Sequence, residues 1–466
     1  MATPKTANEL ATEAGVLASS FEYVNYMNHV YAPIDYETGA YDPVPPVERK
    51  AWRPLSVQDL QYRAQDQFDT LFKNPKETDD FYYKVLQVSQ RVPQAMPDSL
   101  LIKTKDGLRV LTVDGTLAEP TGAFIPNLIE TPLNEDPEMK RELMEVLLQW
   151  LEAESEVISL LRHMATALAP SWSSGKYVLA IGSGSNGKSL CIDMLVKLLG
   201  KHNCSSVTRQ HIAADSPVQL DLNGKLLNYV MDGEATFVKD SGREKSLITG
   251  EDIGVRRLYT STHVKVQTNA LFIEGLNLEP KTSDKSAALQ RRLVRFHFPN
   301  RFPADPMFAE KMMSEPMLGA FLSLLLDHFV KKNEVAVMLA PTQRSRELQL
   351  EHMEENSLAL QYVLYVDDTD PLGADALIGT SMDDLCSGFT SWRLKMNDLT
   401  SWDAIGIQRL FRHVVNTELR SIRLGAGRGA PVRKKRYITA LSQETTELLS
   451  MQREEADDST TTVVED

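Results

Sequence analysis

Tyr177-Val178-Leu179-Ala180-Ile181-Gly182-Ser183-Gly184-Ser185-Asn186-Gly187-Lys188-Ser189 decides the fold of this chain. Five apolar residues read as a buried strand, and they run directly into the pattern G-x-x-x-x-G-K-S. The glycines let the backbone curl until successive amides point at the β- and γ-phosphates of a nucleotide. Lys188 then supplies a point charge, and the Ser189 hydroxyl reaches Mg²⁺. Beyond the loop, Leu190, Ile192, Met194, Leu195, Leu198 and Leu199 recur at helical spacing, and Gly200 stands where a left-handed C-terminal cap is expected. Strand, loop and helix together predict an α/β domain that binds ATP and Mg²⁺ through residues Gly182 to Ser189.

An ATPase also needs a carboxylate. Leu226 to Met231 is mostly apolar and ends at Asp232-Gly233-Glu234, which places both acids on one face if the strand persists. One acid holds the Mg²⁺ shell and the other polarises the attacking water, with Asp232 taken for the metal and the order of the pair left open. A solvated acidic turn is the plain alternative. A third apolar run, Ala270 to Leu276, ends at Asn277, with Pro280 stopping the strand. An amide there can accept from water and donate to a phosphate oxygen. A simple turn is again the alternative.

The order of these pieces resembles the superfamily 3 helicases of the phage and poxvirus type, whose loop ends as Asn186-Gly187-Lys188-Ser189 does here. The resemblance continues through Lys245 to Asp252, Arg256 to Tyr259, Asn277 with Pro280, and Arg291 to Phe298. It implies an AAA+-like core, a homo-hexamer that hydrolyses ATP between subunits, and single-stranded or forked DNA drawn through the ring in the 3′ to 5′ sense. It also implies roles. Arg292, with Arg291 as the alternate, would enter a neighbour's site as a finger. His263 and Lys265, near the tip of a hairpin at about 258–267, would track DNA phosphates. Two departures are the Asp232-x-Glu234 spacing and the short interval from Asp252 to Arg256.

The 466 residues carry a net charge of −14, which by itself disfavours a polyanionic partner. Distribution reverses that expectation. Between Trp402 and Tyr437 nine cations stand against two acids, a net of +7, ending in Arg433-Lys434-Lys435-Arg436. The block reads as a helix as far as Leu419 followed by a two-stranded wing, a winged-helix-like DNA surface; a solvated basic face used for subunit contact is the alternative. No run reaches the ~18 apolar residues of a membrane span, and no basic-plus-apolar leader is present, so a cytoplasmic protein without a membrane partner is expected. Three scattered cysteines, 191, 204 and 386, exclude a disulfide framework and a zinc module of primase type, so any primase or polymerase would be a separate partner.

Punctuation divides the chain into an extended arm (1–55), a mainly helical collar domain (56–170), the ATPase domain (171–305), a helical segment (306–361), the winged-helix-like domain (362–445) and an acidic disordered tail (446–466). The residues 100–117 alternate as a hairpin turning at Lys105-Asp106-Gly107. Three functions fit this organisation: a replicative DNA helicase of a phage or mobile element, which is the favoured one; a nucleotide-switched initiator or loader; and a DNA-packaging ring motor.

Overall fold

The strand Tyr177–Ile181 is paired on both sides. In the computed structural model it lies within a five-stranded sheet whose order is Cys204–Ser205, Leu227–Val230, Leu271–Leu276, Tyr177–Ile181, Leu293–His297, with every neighbour parallel. The structure describes residues 5–27, 29–92, 97–214, 216–231, 233, 242–256, 263–278, 287–396, 403–423, 432–443, 445–446 and 449–450. Parallel strands covered on both faces need continuous apolar runs rather than alternation, which is why the central three read as such. On one face Val178, Ala180, Ile273 and Phe296 pack against the helices Lys188–Leu199, Pro137–Leu151, Glu154–Ala165 and Glu315–Asp327. On the other, Tyr177, Leu179, Phe272 and Leu276 meet Ile212 and Leu247 from the helices Arg209–Ala213 and Gly242–Ile248. The α/β expectation for this part of the chain holds.

Contacts divide the chain into two units, 1–284 with 288–345 and 285–287 with 346–466. The boundary after Ser345 falls inside the helix Gln343–Asn356, not at 361. In the first unit the expected arm is corrected. Residues 5–54 form a helix, Ala7–Ser20, capped by Thr6 and Glu9, and three strands of a four-stranded sheet, Val24–Tyr26, His29–Asp35 and Lys50–Pro54. Leu10, Ala14 and Leu17 bury against Leu60, Phe81 and Val85. Tyr26 and Tyr31 meet the Phe124 ring edge-on, with centroids 5.4 Å away, so tyrosines that suggest an exposed arm are core. The hairpin at 100–117 is present as Leu100–Thr104 and Gly107–Leu111, and Gly107 takes the positive φ (115°) that its turn requires. Two helices, Pro137–Leu151 and Glu154–Ala165, occupy the segment read as a collar.

A second hairpin, Ile253–Arg256 with His263–Val266, starts before position 258. Alternation sets it: Ile253 and Val255 are buried while Gly254 and Arg256 are exposed. His263 pairs with Arg256 at the outer end, and Lys265 with Gly254 nearer the base, so Lys265 is a strand residue and not a tip residue.

The second unit has its own core of Leu360, Val363, Phe389, Trp392, Phe411 and Ile438. Its helix does not run to Leu419. It spans Ala404–Leu410, tightens into a 3-10 turn over Phe411–His413, and gives way to a strand, Val415–Arg423, paired antiparallel with Val432–Leu441. Val414, Val415 and Thr417 are β-branched and fit a pleated surface better than a helix. The acidic tail beyond 450 lies outside the described residues. No described helix is long and apolar enough to cross a membrane.

Candidate nucleotide-binding site

The loop between Ile181 and Lys188 is built by backbone conformations that few residues tolerate. Gly184, Ser185 and Gly187 all have positive φ, at 99°, 53° and 84°. A Cβ on Gly187 would come within 2.4 Å of the Trp150 ring, and one on Gly182 would stand 1.9 Å from Asn186 Nδ2. Asn186 is buried and ties the loop down: its Nδ2 donates to the Phe298 carbonyl at 3.1 Å and its Oδ1 accepts from the Lys188 amide at 3.4 Å. The segment after Leu293–His297 wraps the same loop. Phe302 N donates to Ser185 O at 2.7 Å, and the Arg301 guanidinium donates twice to Ser183 Oγ, at 3.2 and 3.0 Å. Trp150 and Arg301 are the residues that sequence reasoning missed. They lie 37 and 112 positions from Gly187 and Ser189 respectively, and no local pattern marks them.

Lys188 opens the helix Lys188–Leu199 and is buried. Its ammonium donates to Leu276 O at 2.8 Å, Gly182 O at 3.2 Å and Asn277 Oδ1 at 3.2 Å. The sheet therefore brings the loop lysine and the predicted sensor amide to one point, since Leu276 and Ile181 are register partners. A buried ammonium beside carbonyl and amide oxygens forms stronger hydrogen bonds with an anion brought to that point. Ser189 is exposed at the first helical turn, where its hydroxyl faces no steric obstacle from burial. Asp232 and Glu234 lie outside the described residues. Gly233 between them donates to Gly275 O at 2.9 Å, so strand pairing extends past Val230, and a Cβ at 233 would meet Glu274 Oε1 at 2.2 Å. A side chain at 233 would have to displace the Glu274 carboxylate and the Leu276 methyl.

Glu274 belongs to a buried polar layer on the second face of the sheet. Tyr177 donates to its Oε2 at 3.3 Å, the Arg209 guanidinium lies 5.5 Å from the Tyr177 ring centroid, and Arg209 Nε donates to Glu244 at 2.7 Å. Burial works against the Arg209 charge, yet Glu244 and Tyr177 outweigh it and hold its pKa above the ordinary value. Removing either partner of such a pair strands a charge, at a cost of about 3–5 kcal/mol. Glu244 sits on the helix just before the hairpin, so the layer links that helix to the strand carrying Asn277.

Arg292 lies elsewhere. It immediately precedes Leu293, which is paired with Tyr177, while the loop follows Ile181 at the other end of the same parallel pair. Five strand residues, roughly 16 Å, separate Arg292 from its own loop. Arg291 is beside it, and Lys176 Nζ donates to Arg291 O at 2.8 Å. Burial and then the Arg291 charge lower the Arg292 pKa; burial, then Arg291 and Arg292, lower that of Lys176. This end of the sheet concentrates positive charge against its own repulsion.

Of the predicted DNA contacts, Lys265 is 81% exposed and faces Asp252 at 3.3 Å. For His263 and Arg433 only the strand position is described. Lys434 and Arg436 are exposed, and Lys435 pairs with Asp383 at 3.3 Å. Cys191 and Cys204 are buried, and burial pushes both thiols up to about 12, which makes them inert packing residues.

Comparison with known proteins adds a family and a set of structures. Residues 180–292 match DUF5906, described as a family of unknown function. No curated protein matches the chain. Among solved structures, the A form apo structure of the NrS-1 C-terminal region is 13% identical with a TM-score of 0.49, covering 94% of this chain and 100% of that one. The apo structure of the same NrS-1 region (residues 305–718 of that protein) is 14% identical with a TM-score of 0.44, at the same coverage.

Proposed function

We propose that the chain is an ATP-dependent DNA motor, a helicase of the superfamily 3 type serving phage or mobile-element replication. The observation that carries this reading is the convergence of Lys188 and Asn277 on one point at the mouth of a loop with the pattern G-x-x-x-x-G-K-S, while Arg292 lies at the far end of the sheet. The loop amides and Lys188 would bind the β- and γ-phosphates. Lys188 exchanges the three neutral oxygens for charged ones, which strengthens its hydrogen bonds. Mg²⁺ would be held by the Ser189 hydroxyl and Asp232 together with phosphate oxygens, a donor set that suits an ion keeping most of its water. It would neutralise charge on the transferring phosphoryl group. Glu234 would polarise the attacking water, and Asn277 would register whether the γ-phosphate is present.

Arg292 is too far from its own loop to act there, so a second subunit completes the site, which is the physical basis for the hexamer in this reading. The basic ribbon of the second unit and the hairpin carrying Lys265 would contact DNA. The test is ATP hydrolysis with and without single-stranded DNA, alongside displacement of a strand from forked DNA with either a 3′ or a 5′ tail. DNA-stimulated hydrolysis and unwinding from the 3′ tail are expected, both lost in Lys188→Ala, and in Glu234→Gln with ATP binding retained. Nucleotide-dependent binding to duplex DNA without any unwinding would support the initiator or loader reading instead.

A further inference from the structure

The ribbon Val415–Arg423 with Val432–Leu441 carries its cations unevenly. Register places Glu418 opposite Tyr437 and Arg420 opposite Lys435 on one face, and Leu419 opposite Arg436 and Ser421 opposite Lys434 on the other. Arg420 and Lys435 of the first face are already matched. Arg420 Nε is hydrogen-bonded to Glu418, its guanidinium lies 5.4 Å from the centre of the Tyr437 ring, and Lys435 is paired with Asp383 at the start of the helix Met382–Lys395. On the second face Lys434 and Arg436 are exposed and have no ion-pair partner among the described residues, and Leu419 beside them is 61% exposed.

We infer that the ribbon docks on duplex DNA through the face of Leu419, Lys434 and Arg436, and that Lys435 is not a contact but a strut that fixes the ribbon to the helix bearing Asp383. The inference rests on the reading of this unit as a DNA-binding one. Two unmatched cations next to each other select a polyanion, because the phosphate backbone rewards each neutralised charge with counterion release. Duplex is favoured over single strand because single-strand binding depends on aromatic platforms, and the one ring of this part of the ribbon, Tyr437, lies on the opposite face beneath Arg420. A two-stranded ribbon also has the width that the major groove admits, and an exposed leucine between two cations offers an apolar contact to a thymine methyl.

The test uses the full chain, with fluorescence anisotropy on a blunt duplex and on one of its strands over a series of salt concentrations. Circular dichroism checks folding of each variant. Lys434→Gln with Arg436→Gln is expected to weaken duplex binding about tenfold at low salt and to reduce the salt slope by about two, one per phosphate contact. Lys435→Gln and Asp383→Asn should leave the slope unchanged. If Lys435→Gln reduces the slope as much as either single neutralisation on the other face, the face assignment is wrong. If the double variant weakens single-strand binding and spares duplex binding, the partner is wrong. Absence of ATP-dependent unwinding by the unaltered protein is a separate outcome, which overturns the motor reading, while the salt slopes alone decide the docking face.

Discussion

The two ends of the parallel sheet are built on opposite plans. At its C-terminal edge the site is backbone: three residues at positive φ, a glycine pressed against Trp150, an asparagine pinned to Phe298, and a lysine enclosed by carbonyl and amide oxygens. At its N-terminal edge, one strand length away, it is side chain: Lys176, Arg291 and Arg292 are crowded together, so that, besides burial, Arg291 lowers the pKa of Arg292 and both arginines lower that of Lys176. The first is a cradle whose described parts all come from this chain's own loop and the segments beside it. The second is a set of neighbouring cations, with Glu251 of the same chain partly offsetting the charge of Arg292. In the proposed motor this second end is where a neighbouring copy's bound nucleotide would sit, since a surface that accumulates repulsion is stabilised by whatever brings negative charge to it.

The most severe test of that contrast is Arg292→Ala, expected to lower ATP hydrolysis by about a thousandfold or more, as loss of an arginine finger does. Mixed with Lys188→Ala, itself inactive, it should recover part of the activity, because mixed assemblies contain some interfaces with both groups intact. No recovery in mixtures shown by native mass spectrometry to contain both chains would place Arg292 in its own subunit's chemistry and dissolve the contrast. A second test compares stability. Gly187→Ala adds a strained φ and a clash with Trp150, and should cost roughly 2–4 kcal/mol in denaturant unfolding, part of it relieved by Trp150→Ala. Arg292→Ala should cost under about 1 kcal/mol. Equal losses would mean that the N-terminal edge is as structural as the cradle.

Acid should weaken the packing on the sheet face that carries Phe296. His163 is fully buried against the Phe296 ring, and burial lowers its pKa to about 4, with Lys176 adding to the effect. The unfolded chain takes up this proton below about pH 6.5 and the folded one does not. Stability is therefore intact above pH 6.5 and falls by up to about 3 kcal/mol as pH drops toward 4. Thermal unfolding across that range should show the loss, His163→Gln should flatten it, and Lys176→Gln should make it shallower. An unchanged slope in His163→Gln would assign the acid limb to other groups. The smallest expected effect is Lys265→Ala, whose exposed pair with Asp252 contributes under about 0.5 kcal/mol to stability. DNA-stimulated hydrolysis should nonetheless fall while basal hydrolysis holds; if stimulation is untouched, the hairpin does not track DNA.

What the sequence by itself determined is whatever short-range chemistry dictates. Five apolar residues, three glycines, a lysine and a serine predict strand, loop and helix at 177–199, and the helix and hairpin periodicities at 57–88, 100–111 and 137–165 are equally local. The N-terminal tyrosines misled because an aromatic residue in a proline-rich stretch carries no local sign of burial; only Trp52, Phe124 and the helix Ala7–Ser20 make it core. The helix expected to Leu419 failed for a related reason, since the strand Val415–Arg423 gains its hydrogen bonds from a partner beginning at Val432. Tertiary structure alone decided that Lys188 meets Asn277, 89 residues later, that the Glu274 carboxylate fills the space beside Gly233, that Arg301 lies on Ser183, and that Lys435 faces Asp383 while its neighbours do not. The physical reason is that parallel strands are joined by long crossovers, so the residues that share an edge of the sheet are remote in sequence, and no local pattern records which of them will meet.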